Sequence, residues 1–538
     1  TAHYTAPNPG LNIEASPFYV SAKLETWASE SQLRRACVSS LGVGGTNCHL
    51  ILEEAPRPLV TTPKLAQSSS ASSIILPFSA KTPSALLALL KKYEVFLEAQ
   101  LLSPEGQRLS IQDIAHTLVN GRVTFAHRAV VQAHDLASAL QAIKGQRPGA
   151  IGLGHACDKP PTKIVFAFTG QGTQYFNMGS SLYQRNQVYR ACFDECAELL
   201  IPIFGQDIRQ IVFNTAPTDA DRAYLDRIDV THPLLFSMAY AMAKAWMHQG
   251  YTPSAMIGHS LGEYVAATLA GVFQLKQVLA LVCKRGELMH STPQGVMLSV
   301  AADESVLIPF LAAADLQGRL SIAGVNVLGM AVVAGYPDAG DILMARLEAK
   351  DISCKALRIP RASHSVLMDS ILDEYQAAVA KCTLSPAKIP IVSNLDGRWL
   401  DPQKAADPCY WRDHLRSAVR FADGSATLMS ESEPYLFIEI GPGSQLTRLL
   451  ERHPLKGQKH LVVATMPGPA DEEDSALWFD LGPARIWAQG GTFDWQAQNT
   501  LSQGQKQALP TYAWDHQEYK FDYPINVGQG HVTGSTKG

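Results

Sequence analysis

The sequence is short of most features that would betray a function. It has no excess charge of one sign: 45 Lys plus Arg stand against 49 Asp plus Glu, a formal net charge of -4 over 538 residues. That balance leaves no electrostatic footprint for nucleic acid and no polybasic patch for a membrane surface. Apolar runs long enough to span a bilayer are missing, and the first residues do not read as a signal peptide. Cysteines number nine and are scattered, which builds no disulfide framework and fits a reducing compartment, so the cytoplasm is the expected location. Cys192 and Cys196 share a helix face, yet no histidine or second cysteine pair stands at ligand spacing. They read as core residues, and no metal is expected.

Hydrophobic residues make up 46% of the chain and charged residues 17%, the balance of a globular protein, and the length calls for two or three domains. The first 56 residues carry little helical periodicity and end in the strand-like run HLILEE. TTPKLAQSSSASS then reads as an exposed linker. From Ile74 to about Lys144 a small α/β pattern follows: strand IILPFSA, helix ALLALLKKYEVFLEAQLL, strand RAVVQA, helix DLASALQAIKG. A larger α/β region begins at Lys163 with the buried-strand run KIVFAF and the glycine turn TGQGTQ. AMIG, IPIVSN and LFIEIGPGS repeat the strand-then-turn pattern, which implies a mostly parallel sheet with chemistry at the strand C-termini. Between about Gly295 and Ile359 the order βαββαβ predicts an inserted ferredoxin-like subdomain. The last residues, INVGQGHVTGSTKG, read as a mobile tail.

Gly258-His259-Ser260-Leu261-Gly262 fits G-x-S-x-G, a nucleophile elbow in which a strand turns sharply into a helix. The glycines admit the tight turn, and the serine hydroxyl stands at a helix N-terminus that favours developing negative charge. Such a serine needs a base. His259 is its neighbour, but side chains of adjacent turn residues diverge. A hydrolase would place an acid and then a late histidine after the serine, and His453 and His460 lie in no convincing strand-end loop.

Four landmarks in order, Gly170-Gln171-Gly172-x-Gln174, Gly258 to Glu263, Ala362-Ser363-His364-Ser365 and Ile440-Gly441-Pro442-Gly443, resemble those of malonyl-type acyl-CoA:carrier-protein transacylases. The resemblance covers about Lys163 to Met466. It implies an α/β-hydrolase-like large subdomain with a parallel sheet plus the ferredoxin-like insert. Ser260 would be the nucleophile and His364 its base; the N–H groups of Gln171 and Leu261 would form the oxyanion hole. Arg285 would pair with the free carboxylate of the acyl group, a match that suits a guanidinium fork. The flanks resemble a modular polyketide synthase: VSSLGVGGTNCHLILEEAP a ketosynthase tail, with Cys48-His49 structural; the small α/β segment a ketosynthase-to-acyltransferase linker; LPTYAWDHQEYKF a post-acyltransferase linker that wraps back. The implied division is 1–56, 57–160, 161–466 with the insert at about 295–360, and 467–538.

Leu261 resembles malonyl-selective members. The tetrad Arg361-Ala362-Ser363-His364 departs from the malonyl pattern His-Ala-Phe-His and the methylmalonyl pattern Tyr-Ala-Ser-His. Ser363 leaves room for an α-substituent and RIDVTHP leans toward methylmalonyl; Arg361, the other selectivity candidate, is able to hydrogen-bond a polar α-group but is rather expected to face solvent. One methyl group is worth only about 1–3 kcal/mol of discrimination, so single residues weigh little. The expectation is a ping-pong transferase moving a malonyl unit from coenzyme A to the phosphopantetheine thiol of an acyl carrier protein among neighbouring synthase domains, with no bound cofactor. Methylmalonyl or another α-substituted malonyl is the alternative unit. A serine hydrolase or thioesterase, and an inactive docking scaffold, are the rivals of other classes.

Overall fold

The computed structural model describes residues 4–27, 33–55, 73–103, 109–147, 149–157, 159–357, 359, 361–471, 474–493, 495 and 504–518. The Ser-rich linker up to Ser72 and the C-terminal tail lie outside them. The chain forms two compact units, divided between Ala71 and Ser72.

In the first unit β1 (Arg35–Leu41) and β2 (Asn47–Glu53) pair antiparallel, from Arg35 opposite Glu53 to Leu41 opposite Asn47. The glycine run between them is the hairpin turn, with Gly44 and Gly45 at φ 108° and 93°, values open chiefly to glycine. Of the two strands, only β2 is legible from the sequence pattern. Cys48 and His49 are exposed on it, and the His49 ring contacts the Ser39 hydroxyl across the hairpin at 2.8 Å.

The second unit opens with an antiparallel sheet in the order β3 (Ile74–Ala80), β4 (His127–Ala133), β5 (Ile151–His155). Helices Pro83–Leu102, Ile111–Gly121 and Leu136–Ile143 accompany it, capped by Thr82, Ser110 and Asp135 through side-chain oxygens that accept backbone N–H groups. The other sheet face is covered by helix Ser475–Ala488, where Leu481, Ala484 and Trp487 pack on Ile75 and Val130. Glycine in β5 is needed here, since a Cβ on Gly154 would stand 2.4 Å from the Ala488 carbonyl oxygen. Residues 504–518 then run back along this domain: the Lys81 N–H donates to the Tyr512 hydroxyl at 2.9 Å, and Leu509 and Ala513 are buried.

The larger domain is built on a parallel sheet that starts with β6 (Lys163–Phe168) and β7 (Ala255–Gly258). The insert follows as β8 (Val296–Val300), β9 (Leu320–Val327), β10 (Met330–Gly335) and β11 (Cys354–Ala356), antiparallel in the order β11-β8-β10-β9, with helices Glu304–Leu311 and Pro337–Glu348. This is the expected ferredoxin-like arrangement, and Leu298, Val300, Leu307, Leu343 and Leu347 give it a core of its own. β12 (Ile391–Val392), β13 (Tyr435–Ile440) and β14 (Leu461–Ala464) complete the large sheet in the order β12-β7-β6-β13-β14. Against it lies helix Ile228–His248, buried over most of its circumference, as is usual for a helix inside a large core. No helix among the described residues is long and apolar enough to cross a membrane.

Candidate active site

β7 sits beside β6 in the sheet and ends at Gly258; helix Leu261–Leu269 starts three residues later. Ser260, between them, is held at φ 51° and ψ -107°. Backbone of this kind costs about 1–3 kcal/mol and persists only where its surroundings impose it. The surroundings are identifiable. The Asn394 side chain accepts the Ser260 N–H through Oδ1 and donates through Nδ2 to the Gly258 carbonyl, both at 2.7 Å. The Asn394 N–H in turn donates to the buried Glu263 carboxyl at 2.8 Å. Asn394 stands just past the two-residue strand β12, and no sequence motif marked it.

Close approach fixes both elbow glycines. A Cβ on Gly258 would lie 2.1 Å from the Glu263 nitrogen, and one on Gly262 would lie 2.3 Å from the Phe168 carbonyl oxygen. Both obstacles are backbone. Gly262→Ala is therefore expected to cost about 4 kcal/mol or more, the range reserved for gross overpacking. Thermal unfolding followed by circular dichroism checks this; an unchanged melting temperature would mean that the helix can slide away from β6.

The Ser260 Oγ lies 2.7 Å from His364 Nε2. His364 Nδ1 lies 2.8 Å from the Ser417 carbonyl oxygen, which can only accept, so Nδ1 carries the proton and Nε2 is left to accept from the serine. His364 is itself at φ 58° and only 4% exposed. Burial, then the nearby Arg285 charge and His259, push its pKa down from 6.5 to about 3. It is neutral, and able to accept a proton, through the whole neutral range. Its depressed value makes protonation a low-pH event: the acid limb of kcat/KM is expected well below pH 6.5, with little loss down to about pH 5. A pH–rate profile that halves near 6.5 would contradict this.

Arg285, on helix Leu275–Ser291, is fully buried. Its Nη2 donates to Ser260 Oγ at 3.2 Å, its Nη1 lies 3.1 Å from His232 Nδ1, and its guanidinium stands 5.4 Å from the Tyr264 ring centre. Among the described residues no carboxylate pairs with it. A charged fork next to the Ser260 hydroxyl is thus left open to an anion.

The glycine turn after β6 packs on the elbow, since a Cβ on Gly170 would meet the His259 carbonyl oxygen at 2.7 Å. Neither the Gln171 nor the Leu261 N–H has an acceptor among the described residues. Both are thus unengaged donors, one on each of these two packed loops. His259 is occupied elsewhere, its Nε2 2.8 Å from Asn326 Oδ1 of β9. His460 receives the Tyr435 N–H and reaches the Met429 carbonyl, and His453 accepts the Leu455 N–H, so both late histidines serve the backbone.

Ser363 is 8% exposed beside His364. Arg361 overturns an expectation: it does not face solvent but is half-buried, with Nη1 donating to the Thr292 carbonyl at 2.8 Å. Thr292 caps the helix that carries Arg285, and the last carbonyls of a helix lack intrahelical donors, so a guanidinium is drawn to them. Among the described residues no group of His, Cys, Asp and Glu is arranged to hold a metal.

The chain has an α/β fold that brings a serine hydroxyl, an imidazole and a guanidinium together at a strand-to-helix turn. Residues 165–478 match the model of the acyl transferase domain family, and residues 74–143 that of the CurL-like, PKS C-terminal family. A phenolphthiocerol/phthiocerol polyketide synthase protein of Mycobacterium tuberculosis is 36% identical over 509 residues, covering 92% of this chain and 33% of that protein. The solved acyl transferase domain of ZmaA is 33% identical, with a TM-score of 0.69 over 82% of this chain and 100% of that one. A malonyl-CoA:acyl carrier protein transacylase from Xanthomonas oryzae is 27% identical, with a TM-score of 0.52 over 58% of this chain and 97% of that one. The chain belongs to the acyl transferase domains of polyketide synthases, and it spans about a third of the length of the curated synthase proteins it matches first.

Proposed function

We propose that this chain transfers a malonyl-class acyl unit from coenzyme A to the phosphopantetheine thiol of an acyl carrier protein by way of an ester on Ser260. The observation that carries the reading is one oxygen with two partners: Ser260 Oγ lies 2.7 Å from a neutral imidazole nitrogen and 3.2 Å from an unpaired guanidinium. Ser260 Oγ attacks the thioester carbonyl while His364 Nε2 takes its proton. The N–H groups of Gln171 and Leu261 receive the oxyanion, each donor of this kind being worth about 3 kcal/mol. The C–S bond breaks, and the proton passes from His364 to the departing thiolate of coenzyme A. In the second half the carrier thiol gives its proton to His364, sulfur attacks the ester, and the proton returns to Ser260 as the C–O bond breaks. Arg285 binds the free carboxylate in both halves. The steps are complete with these groups and call for no resident cofactor.

Malonyl is the unit proposed; Ser363, small and beside the base, favours an α-substituted malonyl as the second choice. Intact mass after competition among malonyl-, methylmalonyl- and acetyl-coenzyme A, beside a Ser260→Ala control, tests both. A stable gain of one carboxylated acyl group, absent from the control, is expected. No adduct, or rapid release of free acid, would overturn the transferase reading in favour of a hydrolase.

A further inference from the structure

A buried arginine without a carboxylate is costly, because burial strips a cation of water and returns nothing in charge. Among the described residues Arg285 is in that position, and its Nε meets no hydrogen-bond partner there. The acidic groups nearest it in the chain's packing, Asp229 and Glu263, are engaged with other partners. Asp229, one helical turn before His232, pairs with Arg227 at 2.6 Å. Glu263 receives the Tyr410 hydroxyl and the Asn394 N–H. What the guanidinium meets instead is the ring of His232, 2% exposed, with Nη1 3.1 Å from Nδ1 and 3.3 Å from Nε2, over the ring and not in line with one nitrogen. Burial, and then the charge of Arg285 itself, hold His232 well below its usual pKa, so its ring is neutral.

We infer that His232 is a positioning residue of the carboxylate receptor: its uncharged ring holds one amino group of Arg285, aims the fork at the space beside Ser260, and leaves the full positive charge for the acyl carboxylate. This rests on the proposed role of Arg285. An acid in place of His232 would hold the same amino group but cancel the charge, and an apolar residue would leave the fork unaimed. A residue there for packing alone would not distinguish these cases.

The test compares His232→Gln, His232→Leu and His232→Glu with Arg285→Ala, measuring KM and kcat for malonyl-coenzyme A and the malonyl-to-acetyl loading ratio. Fluorophosphonate labelling of Ser260 and melting temperatures report that the nucleophile and fold are intact. His232→Gln, a neutral acceptor, is expected to retain most of the wild-type preference. His232→Leu and His232→Glu are expected to raise KM about tenfold or more, what one lost hydrogen bond to a charged group amounts to, with less change in kcat and a smaller loading ratio. If His232→Leu lowers the melting temperature, His232→Glu, which gives Arg285 a paired partner, carries the test. Wild-type KM and ratio in both, alongside an Arg285→Ala variant that does shift toward acetyl, would overturn the role of His232 alone. An Arg285→Ala variant with an unshifted ratio would overturn the reading of Arg285, and this inference with it.

Discussion

Ser260→Ala, His364→Ala and the double variant are expected to lose acyl loading by the same factor, on the order of 10^4 or more. The equality is the informative part. Ser260 and His364 share one proton across 2.7 Å, and in the proposed mechanism neither has a use without the other. A hydroxyl without a base is a weak nucleophile, and a base without a hydroxyl has nothing to activate. Removing the second group after the first therefore costs nothing more. Arg285 remains 3.2 Å from the oxygen in His364→Ala, and a lone cation there lowers the hydroxyl pKa without accepting its proton. Single-turnover transfer from labelled malonyl-coenzyme A measures the factors. Strictly additive losses would show that the two side chains act in separate steps, and a His364→Ala enzyme within tenfold of wild type would remove the base from the mechanism.

Arg285→Ala is expected to lower malonyl loading by roughly 10^2-fold or more while acetyl loading holds or rises. Hydrogen bonds to a charged group are each worth about 1.5–3 kcal/mol, and a carboxylate on a guanidinium fork makes two. Acetyl offers no anion, so it loses nothing, and it gains a site from which a buried, unbalanced cation has been removed. Because the Arg285 charge is the second cause holding the His364 pKa down, the same variant is expected to move the acid limb of kcat/KM upward, toward the ordinary imidazole value. Competition loading gives the first result and a pH–rate profile the second. Equal losses for malonyl and acetyl would mean that Arg285 holds the fold of the site rather than the substrate.

Side chains with a motif were legible in the sequence, and groups without one were not. Ser260, His364 and Arg285 stand together in the structure, and the βαββαβ order correctly foretold the inserted sheet. The carbonyl that orients His364 belongs to Ser417, and a backbone acceptor has no residue type by which to be recognised. Asn394 escaped notice because its work depends on the Ser260 N–H and the Gly258 carbonyl, 134 and 136 residues away. His232 lay within RIDVTHP, which drew attention only as a specificity cue. β5 carries two glycines that disguise a strand, and β14 has only four residues. Each is fixed by its neighbours more than by its own pattern. Arg361 was misjudged for the same reason: its partner is the carbonyl of Thr292, and the end of a helix is invisible from a tetrad roughly seventy residues further on.

The return of helix Ser475–Ala488 and residues 504–518 to the sheet of β3, β4 and β5 makes the transferase a cartridge held in a clip. The clip is made of chain from both sides of it: strands that precede Lys163, and a helix and strap that follow Ala464. An exchange of substrate specificity between synthases that swaps the stretch between those two points leaves the clip closed around the newcomer. A cut that ends before Ser475 and discards the rest takes the clip apart, uncovering Ile75 and Val130 on the domain left behind.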